Sequence, residues 1–347
     1  MLSPLKNLLP FEARQQAKFF LGSSTKKQLK KIRSVYGQSL NQNLKRRCDE
    51  YARDILGKRR YAEWLYIYCM ITESFKEGWI PDDYYGEIVT PKIKGMYGDI
   101  SELNALQSAL FGREHIPDLA YQTNGILLDA DYRPVKNIGE RLNSTQLATQ
   151  IVFKKDKSMQ GRGVEILAPP YCDAKLRSLG DGVFQKHIDQ HDFFKSFHRE
   201  SVATLRMTTV IEHDGTASLR AAYLRLGIGH ETHVQSVSHI RVPVCSSTGR
   251  LYEEGYTVHW ERIRAHPSTG TTFEGKTIPN FGACVDLALE LQSKVAFARC
   301  VGWDMALDKD GRPIVMEWNG AHNDIKFSEA TTGPCFKDLG WESLWKT

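Results

Sequence analysis

Near the C-terminus the chain reads VGWDMALDKDGRPIVMEWNGAHND over residues 301–324. Asp304 lies in one apolar run, Asp308-Lys309-Asp310-Gly311 is a hairpin turn signal, and Glu317 and Asn319 end the run that follows. Glu317 and Asn319 are two apart, so an extended chain puts both side chains on one face. A hairpin returning beside Asp304 then brings three hard oxygen ligands together, a set suited to Mg²⁺ held jointly with substrate phosphates. Without a cation or hydrogen bonds between them, two carboxylates on one sheet face repel each other.

A second stretch, IVFKKDKSMQGRGVEIL over 151–167, sets Lys154 and Lys155 at the end of an apolar run. A short polar gap, Gly161-Arg162-Gly163 and another apolar run follow. Neither the P-loop string nor the dinucleotide fingerprint G-x-G-x-x-G occurs here. A glycine hairpin still lets backbone amides approach phosphate oxygens, because glycine lacks the Cβ obstruction. Arg206 and Arg225 each sit inside an apolar strand pattern, where a guanidinium needs either an anionic ligand or a structural salt bridge. His230-Glu231-Thr232-His233 is not H-E-x-x-H, and in an extended segment its two histidines face opposite ways, which argues against a zinc site.

These residues need elements to hold them. Alternating patterns predict strands near Gly125–Leu128, Gln150–Lys154, Gly163–Leu167, Val183–Lys186, Ala203–Ile211, Leu219–Leu226, Val301–Ala306 and Pro313–Glu317. A helix is expected over Cys284–Arg299, with Ala288, Leu291, Val295 and Ala298 as its buried stripe. Apolar and aromatic residues at helical spacing over 40–57 and 60–77 predict a helical N-terminal region that closes near Gly78 and Pro81. The absence of regular βαβ alternation gives an α+β class with mainly antiparallel sheets.

The 347 residues, 41% hydrophobic, suffice for one large or two smaller domains. No apolar run approaches the ~20 residues of a bilayer-spanning helix, and the first twenty residues lack the continuous apolar core of a signal peptide. Seven scattered cysteines without a C-x-x-C pair point to a reducing, cytoplasmic compartment. The net charge of +5 is unevenly spread: residues 1–60 hold fifteen Lys/Arg against four Asp/Glu, +11, leaving −6 for the remainder. Such a basic segment could be a solvated helix face, or could meet an anionic membrane face, a polyanionic glycan or nucleic acid. No nucleic-acid-binding motif accompanies it, so no specific nucleic acid is expected.

Taken together, the D-x12-E-x-N pattern and the strand–lysine–glycine-hairpin unit before it resemble the ATP-grasp superfamily. Over roughly 150–335, the strings Thr204–Thr208, Tyr223–Gly227, Thr248–Leu251, His266–Gly270, Ile278-Pro279 and Gly302-Trp303-Asp304 resemble its sugar-transfer-associated group. The resemblance implies an ATP-grasp fold: two subdomains with mainly antiparallel sheets sandwich ATP, behind a helical N-terminal region. The expected division is 1–95 helical and basic, 96–190 with glycine loop and hinge, and 191–347 with the metal site.

The resemblance also implies roles. Lys154, with Lys155 as rival, reaches the ATP phosphates, and Ser158, Gly161 and Gly163 belong to the glycine loop covering them. Gln185, Lys186 and Ile188 lie on the hinge that reads adenine. Asp192 is the ribose carboxylate, with Asp189 and His191 as substitutes. Asp304, Glu317 and Asn319 hold one or two Mg²⁺ ions, Arg206 and Arg225 stabilise reaction intermediates, and His239 and His266 line the acceptor site. Around 235–242, where the group carries an Asn and a Gly-Gly pair, this chain reads QSVSHIRV. The implied reaction is ATP-dependent carboxylate–amine ligation through an acyl phosphate, on a small-molecule or glycan substrate such as a uronic acid. Transfer of phosphate to a hydroxyl, or a nucleotide- or glycan-binding scaffold, are the alternatives.

Overall fold

The computed structural model describes residues 25–37, 40–144, 150–158, 163–229 and 238–347. The chain forms two compact units, one from the residues up to Gly95 together with Asp324–Thr347, the other from Met96–Asn323. Residues 324–347 thus group with the N-terminal helices, a long-range pairing of which the local sequence pattern gives no sign.

The first unit is helical. Helix α1 spans 25–36, α2 Gln42–Glu50 and α3 Ala62–Thr72. Asn41 starts α2 by accepting a hydrogen bond from the Asn43 amide, which satisfies one orphan donor of the first turn. Eight of the eleven α3 residues are buried, so α3 is the centre around which the others pack. Aromatic rings extend this core from Tyr51 through Phe75 and Trp79 to Tyr68. The C-terminal segment is fastened by Glu329, which is fully buried. Its two carboxylate oxygens accept from the Ile80 and Cys335 amides at 2.8 and 2.6 Å, and its carbonyl accepts from Trp79 Nε1.

The second unit holds two antiparallel sheets. The first has strands β1 (Asp118–Thr123), β2 (Ile126–Asp129), β3 (Ile151–Lys155), β4 (Val164–Leu167) and β5 (Gly182–Lys186) in the order β2-β1-β5-β3-β4. One face, with Ile151, Phe153, Phe184 and Leu127, packs with Ile138, Leu142 and Leu176 of helices α4 (Ile138–Ser144) and α5 (Asp173–Ser178). The opposite face carries Val152, Lys154, Val183 and Gln185.

Seven strands build the second sheet: β6 (Thr204–Ile211), β7 (Ala217–Leu226), β8 (Ile240–Val244), β9 (Gly255–Tyr256), β10 (Arg262–Ile263), β11 (Cys300–Leu307) and β12 (Pro313–Asn319). Their order is β10-β9-β8-β7-β6-β11-β12. Leu205, Met207, Leu224, Trp303 and Met305 turn to a core closed by Cys284, Leu287, Ala288 and Leu291 of helix α6 (Phe281–Lys294). Each fully buried Leu or Val there contributes roughly 1.5–3 kcal/mol. The alternate residues, Arg206 and Asp304 among them, therefore face the other way.

All eight expected strands are present, and β1, β8, β9 and β10 are additional. Strand β8 contains Pro243, a residue that argues against a sheet interior. Here the Pro243 carbonyl accepts from the Tyr252 amide, so its main-chain polar groups point away from β7 and no bond to β7 is lost. Among the described residues, no helix is long and apolar enough to cross a membrane.

Candidate active site

Cross-strand register assembles the site. Glu317 of β12 lies opposite Asp304 of β11, Asp304 opposite Arg206 of β6, and Arg206 opposite Tyr223 of β7, all in one row on the face away from α6. Two residues along, Arg225 of β7 shares that face and lies opposite Arg241 of β8. A β-bulge makes Met316 an extra residue in β12, between the pairs Asp304–Glu317 and Met305–Val315. The bulge exposes the Met316 carbonyl, which accepts from Lys154 Nζ of the other sheet at 2.8 Å. Lys154 is thus the lysine turned to the acidic row; Lys155, one residue on, points from the opposite face and is exposed.

The electrostatics are unequal. Arg206 grips Asp304 bidentately, Nε to Oδ1 and Nη2 to Oδ2 at 2.9 Å, and gives Nη1 to the Asn323 carbonyl at 3.1 Å. Both side chains are more than nine-tenths buried. Burial alone would raise the Asp304 carboxyl, but Arg206, helped by Arg225 and Lys154, outweighs it and holds the pKa below the ordinary value. Burial likewise works against the Arg206 charge, and Asp304 more than restores it. Arg225 stands 3.6 Å from Asp304 Oδ2 and donates no hydrogen bond among the described residues.

Glu317 is half-buried and has no hydrogen-bond partner among the described residues. Burial and the facing Asp304 raise its pKa, against the pull of Lys154, Arg206 and Arg225. Lys154 is shifted down by burial, against the pull of Glu317, Asp118 and Asp304. Asn319 donates its amide nitrogen to the Gly302 carbonyl at 3.1 Å, which leaves its oxygen outside that bond.

This donor set fits a divalent cation. A carboxylate with no hydrogen-bond partner among the described residues, destabilised by a second carboxylate, is relieved by an ion seated on it, and the Asn319 oxygen is the kind of hard donor Mg²⁺ accepts. Asp304 enters such a set with both oxygens already engaged by Arg206. The described residues hold no group of three or more His, Cys, Asp or Glu that could bind a metal, so the set consists of two carboxylates and an amide.

The hairpin after Lys155 also suits close approach. A Cβ on Gly163 would meet Ser158 Oγ at 2.4 Å; Ser158 Oγ donates to the Lys155 carbonyl, and the Lys155 amide to that of Gly163. Gly161 lies outside the described residues. Gln185 is buried and donates to Asp118 Oδ1 at 2.8 Å, while Ser108 and Tyr121 hydroxyls donate to Oδ2. Asp118, raised by burial, faces Lys154 electrostatically and was not visible in the sequence, where it merely follows Pro117.

Lys186 is exposed on the opposite face from Gln185, and Ile188 is half-buried in the connection after β5. Asp192 is exposed and pairs with Lys195 at 3.4 Å; Asp189 pairs with the same lysine at 2.7 Å. His239 is buried beside β8, two residues before Arg241. His266 is fully buried, with Nε2 bonded to the Gly227 carbonyl at 2.8 Å and Nδ1 accepting from the Ser268 amide. Both of its ring nitrogens are occupied by main chain, which leaves none for an acceptor. The segment 230–237 lies outside the described residues and takes with it the first three residues, 235–237, of the expected Asn/Gly-Gly stretch.

Two sheets that present a lysine strand, a glycine hairpin and an Asp/Glu/Asn row to one another define the ATP-grasp fold. Residues 165–338, half of the chain, match the family model described as sugar-transfer associated ATP-grasp, and the chain belongs to that family. The match starts after Lys154 and excludes most of the helical unit. No curated protein matches the chain in sequence.

Solved structures with a similar fold include the biotin carboxylase domain of Hydrogenobacter thermophilus 2-oxoglutarate carboxylase with MgADP. It is 12% identical, with 70% of this chain and 45% of that chain covered and a TM-score of 0.41. The ATP-grasp ligase PsnB with its minimal precursor is 11% identical (73% and 63% covered, TM-score 0.40). The D-alanine–D-alanine ligase of Coxiella burnetii is 11% identical (71% and 59%, TM-score 0.39). The chain spans 45–63% of the length of these structures.

Proposed function

We propose that the chain is an ADP-forming, ATP-dependent carboxylate–amine ligase that joins an amine or amino acid to a sugar carboxylate such as that of a uronic acid. The observation that carries this reading is the convergence of Lys154, Arg206 and Arg225 on the Glu317–Asp304 pair from two facing sheets. Phosphoryl transfer needs positioning and neutralisation of oxygen charge rather than a covalent nucleophile, and this row supplies both.

In this reading Lys154 neutralises phosphate oxygens, Ser158–Gly163 covers them, and the chain around Gln185–Ile188 receives the adenine. Asp192 or Asp189 is the ribose carboxylate of the same reading. Glu317, Asn319 and the outer side of Asp304 would hold one or two Mg²⁺ ions, which would supply positive charge to offset that of the phosphates. The substrate carboxylate attacks the γ-phosphorus, ADP leaves, and the acyl phosphate is then opened by the amine with release of phosphate. Arg225, which donates no hydrogen bond among the described residues, suits the developing oxyanion; Arg206 holds Asp304 in place. His239 is the remaining histidine for the acceptor side. The seven free thiols support a cytoplasmic setting.

The test is ATP consumption scored separately for ADP, AMP and free phosphate over uronic acids crossed with amino acids. ADP and phosphate appearing only with both substrates present supports the ligase. ADP without free phosphate would replace it with a phosphotransferase, and AMP formation would overturn both.

A further inference from the structure

Helix α1 carries five cations, Lys26, Lys27, Lys30, Lys31 and Arg33, and no acid. Thr25, Leu29 and Ile32 are buried at i, i+4, i+7 spacing, so the inward stripe of the helix is used by the fold. Lys26, Lys27, Lys30 and Arg33 are exposed and Lys31 is half-exposed. Among the described residues none of the five is ion-paired. Several other basic residues of this unit are treated differently: Arg53 pairs with Asp54, Arg59 with Asp49, and Arg60 with Glu87. Like charges three and four apart, as Lys26/Lys30, Lys27/Lys31 and Lys30/Arg33 are, destabilise a helix. A face that keeps all of them uncompensated fits an extended anionic partner.

Two features select the kind of partner. Four of the five cations are lysines, point charges without the planar fork that pairs bidentately with individual phosphates. The sequence just upstream adds Leu8, Leu9, Phe11, Phe19, Phe20 and Leu21 among Lys6, Arg14 and Lys18, the apolar–basic mixture of membrane-interfacial segments rather than of nucleic-acid readers. We propose that α1 seats the chain peripherally on an anionic lipid surface through this cationic face. The proposal is independent of the ligase reading.

Each lysine or arginine near an anionic surface strengthens partitioning by roughly fivefold. The full chain should therefore sediment with phosphatidylcholine vesicles containing about a quarter phosphatidylglycerol and not with pure phosphatidylcholine, and high salt should release it. Combined Lys26→Gln, Lys27→Gln, Lys30→Gln and Arg33→Gln should weaken binding by roughly several hundredfold, with helicity by circular dichroism unchanged. The same four positions changed to Glu should abolish it. Failure of the wild-type chain to bind anionic vesicles, undiminished binding by the Gln variant, or capture by RNA or heparin without vesicle binding would each overturn the proposal.

Discussion

Asp304 and Glu317 are direct partners across the β11–β12 ladder, yet their surroundings push the two carboxyl groups in opposite directions. Arg206 binds both oxygens of Asp304, and no hydrogen bond reaches Glu317 from the described residues. The row is therefore asymmetric: one acid is held at both oxygens within the sheet, and the other accepts no hydrogen bond from the described residues.

Glu317→Gln follows from that asymmetry. Raised above the unfolded value of 4.5, the Glu317 carboxyl adds stability that is fully present below pH 4.5 and is lost as pH rises through the folded pKa. In thermal melts of metal-free protein, the wild type should thus lose stability across that window relative to the Gln variant. Mg²⁺ at neutral pH should raise the wild-type Tm and leave the variant's unmoved, and ATP turnover by the variant should fall by about a hundredfold or more. An undiminished Mg²⁺ response in Glu317→Gln would remove Glu317 from the metal set.

The two arginines should separate under mutation. Arg206→Met strands a buried carboxylate, which costs about 3–5 kcal/mol in urea unfolding. Arg225→Met breaks only a 3.6 Å contact and should cost within about 1 kcal/mol, yet lower turnover by about 10²–10³. Equal destabilisation by both changes would contradict the division into a positioning and a reacting arginine.

The acidic row was legible because its parts are periodic: the turn Asp308–Gly311, the two-residue spacing of Glu317 and Asn319, and the alternation that places Asp304 opposite them. What local pattern does not encode is which neighbour occupies a side chain. Nothing near Asp304 in sequence announces that Arg206, 98 residues away, takes both its oxygens, or that Gln185 is engaged by Asp118. His266 looked like an acceptor residue for the same reason; its two main-chain partners, Gly227 and Ser268, become visible only once β7 and the 266–270 turn are adjacent. The bulge at Met316 was equally hidden, since one extra residue in a strand leaves no compositional mark.

Lys154 and Lys155 were open alternatives in the sequence, and the pleat gives them opposite faces. Titration calorimetry with MgADP should show Lys154→Met weakening binding by about tenfold or more, the worth of a charge-assisted hydrogen bond. Lys155→Met should stay within about twofold. Reversed sensitivities would mean that the strand is read in the wrong register.

The helical unit carries a pH dependence of its own. Burial pushes the Asp83 carboxyl up to about 7 from 3.8, and Glu329 up to about 7 from 4.5, despite amide hydrogen bonds to both that favour ionisation. For each group the folded pKa exceeds the unfolded one, so its stabilisation is complete below pH 3.8 or 4.5 and disappears as pH climbs towards about 7. The loss is on the order of 4 kcal/mol for Asp83 and on the order of 3 kcal/mol for Glu329. Urea unfolding of the full chain should accordingly become easier between about pH 5 and pH 8. Asp83→Asn keeps an oxygen for the Tyr84 amide, bonded at 2.9 Å, and should remove its share of this slope at little cost in acid. Glu329→Gln is the harsher change: its carboxylate accepts one amide at each oxygen, and an NH₂ group must face one of those donors. That variant should lose stability even at low pH while flattening the profile, and the Ile80 and Cys335 amides should lose hydrogen-exchange protection first. A wild-type profile that stays flat from pH 5 to 8 would show that both acids ionise without penalty, and hence that water reaches the junction formed by Trp79, Ile80 and Glu329.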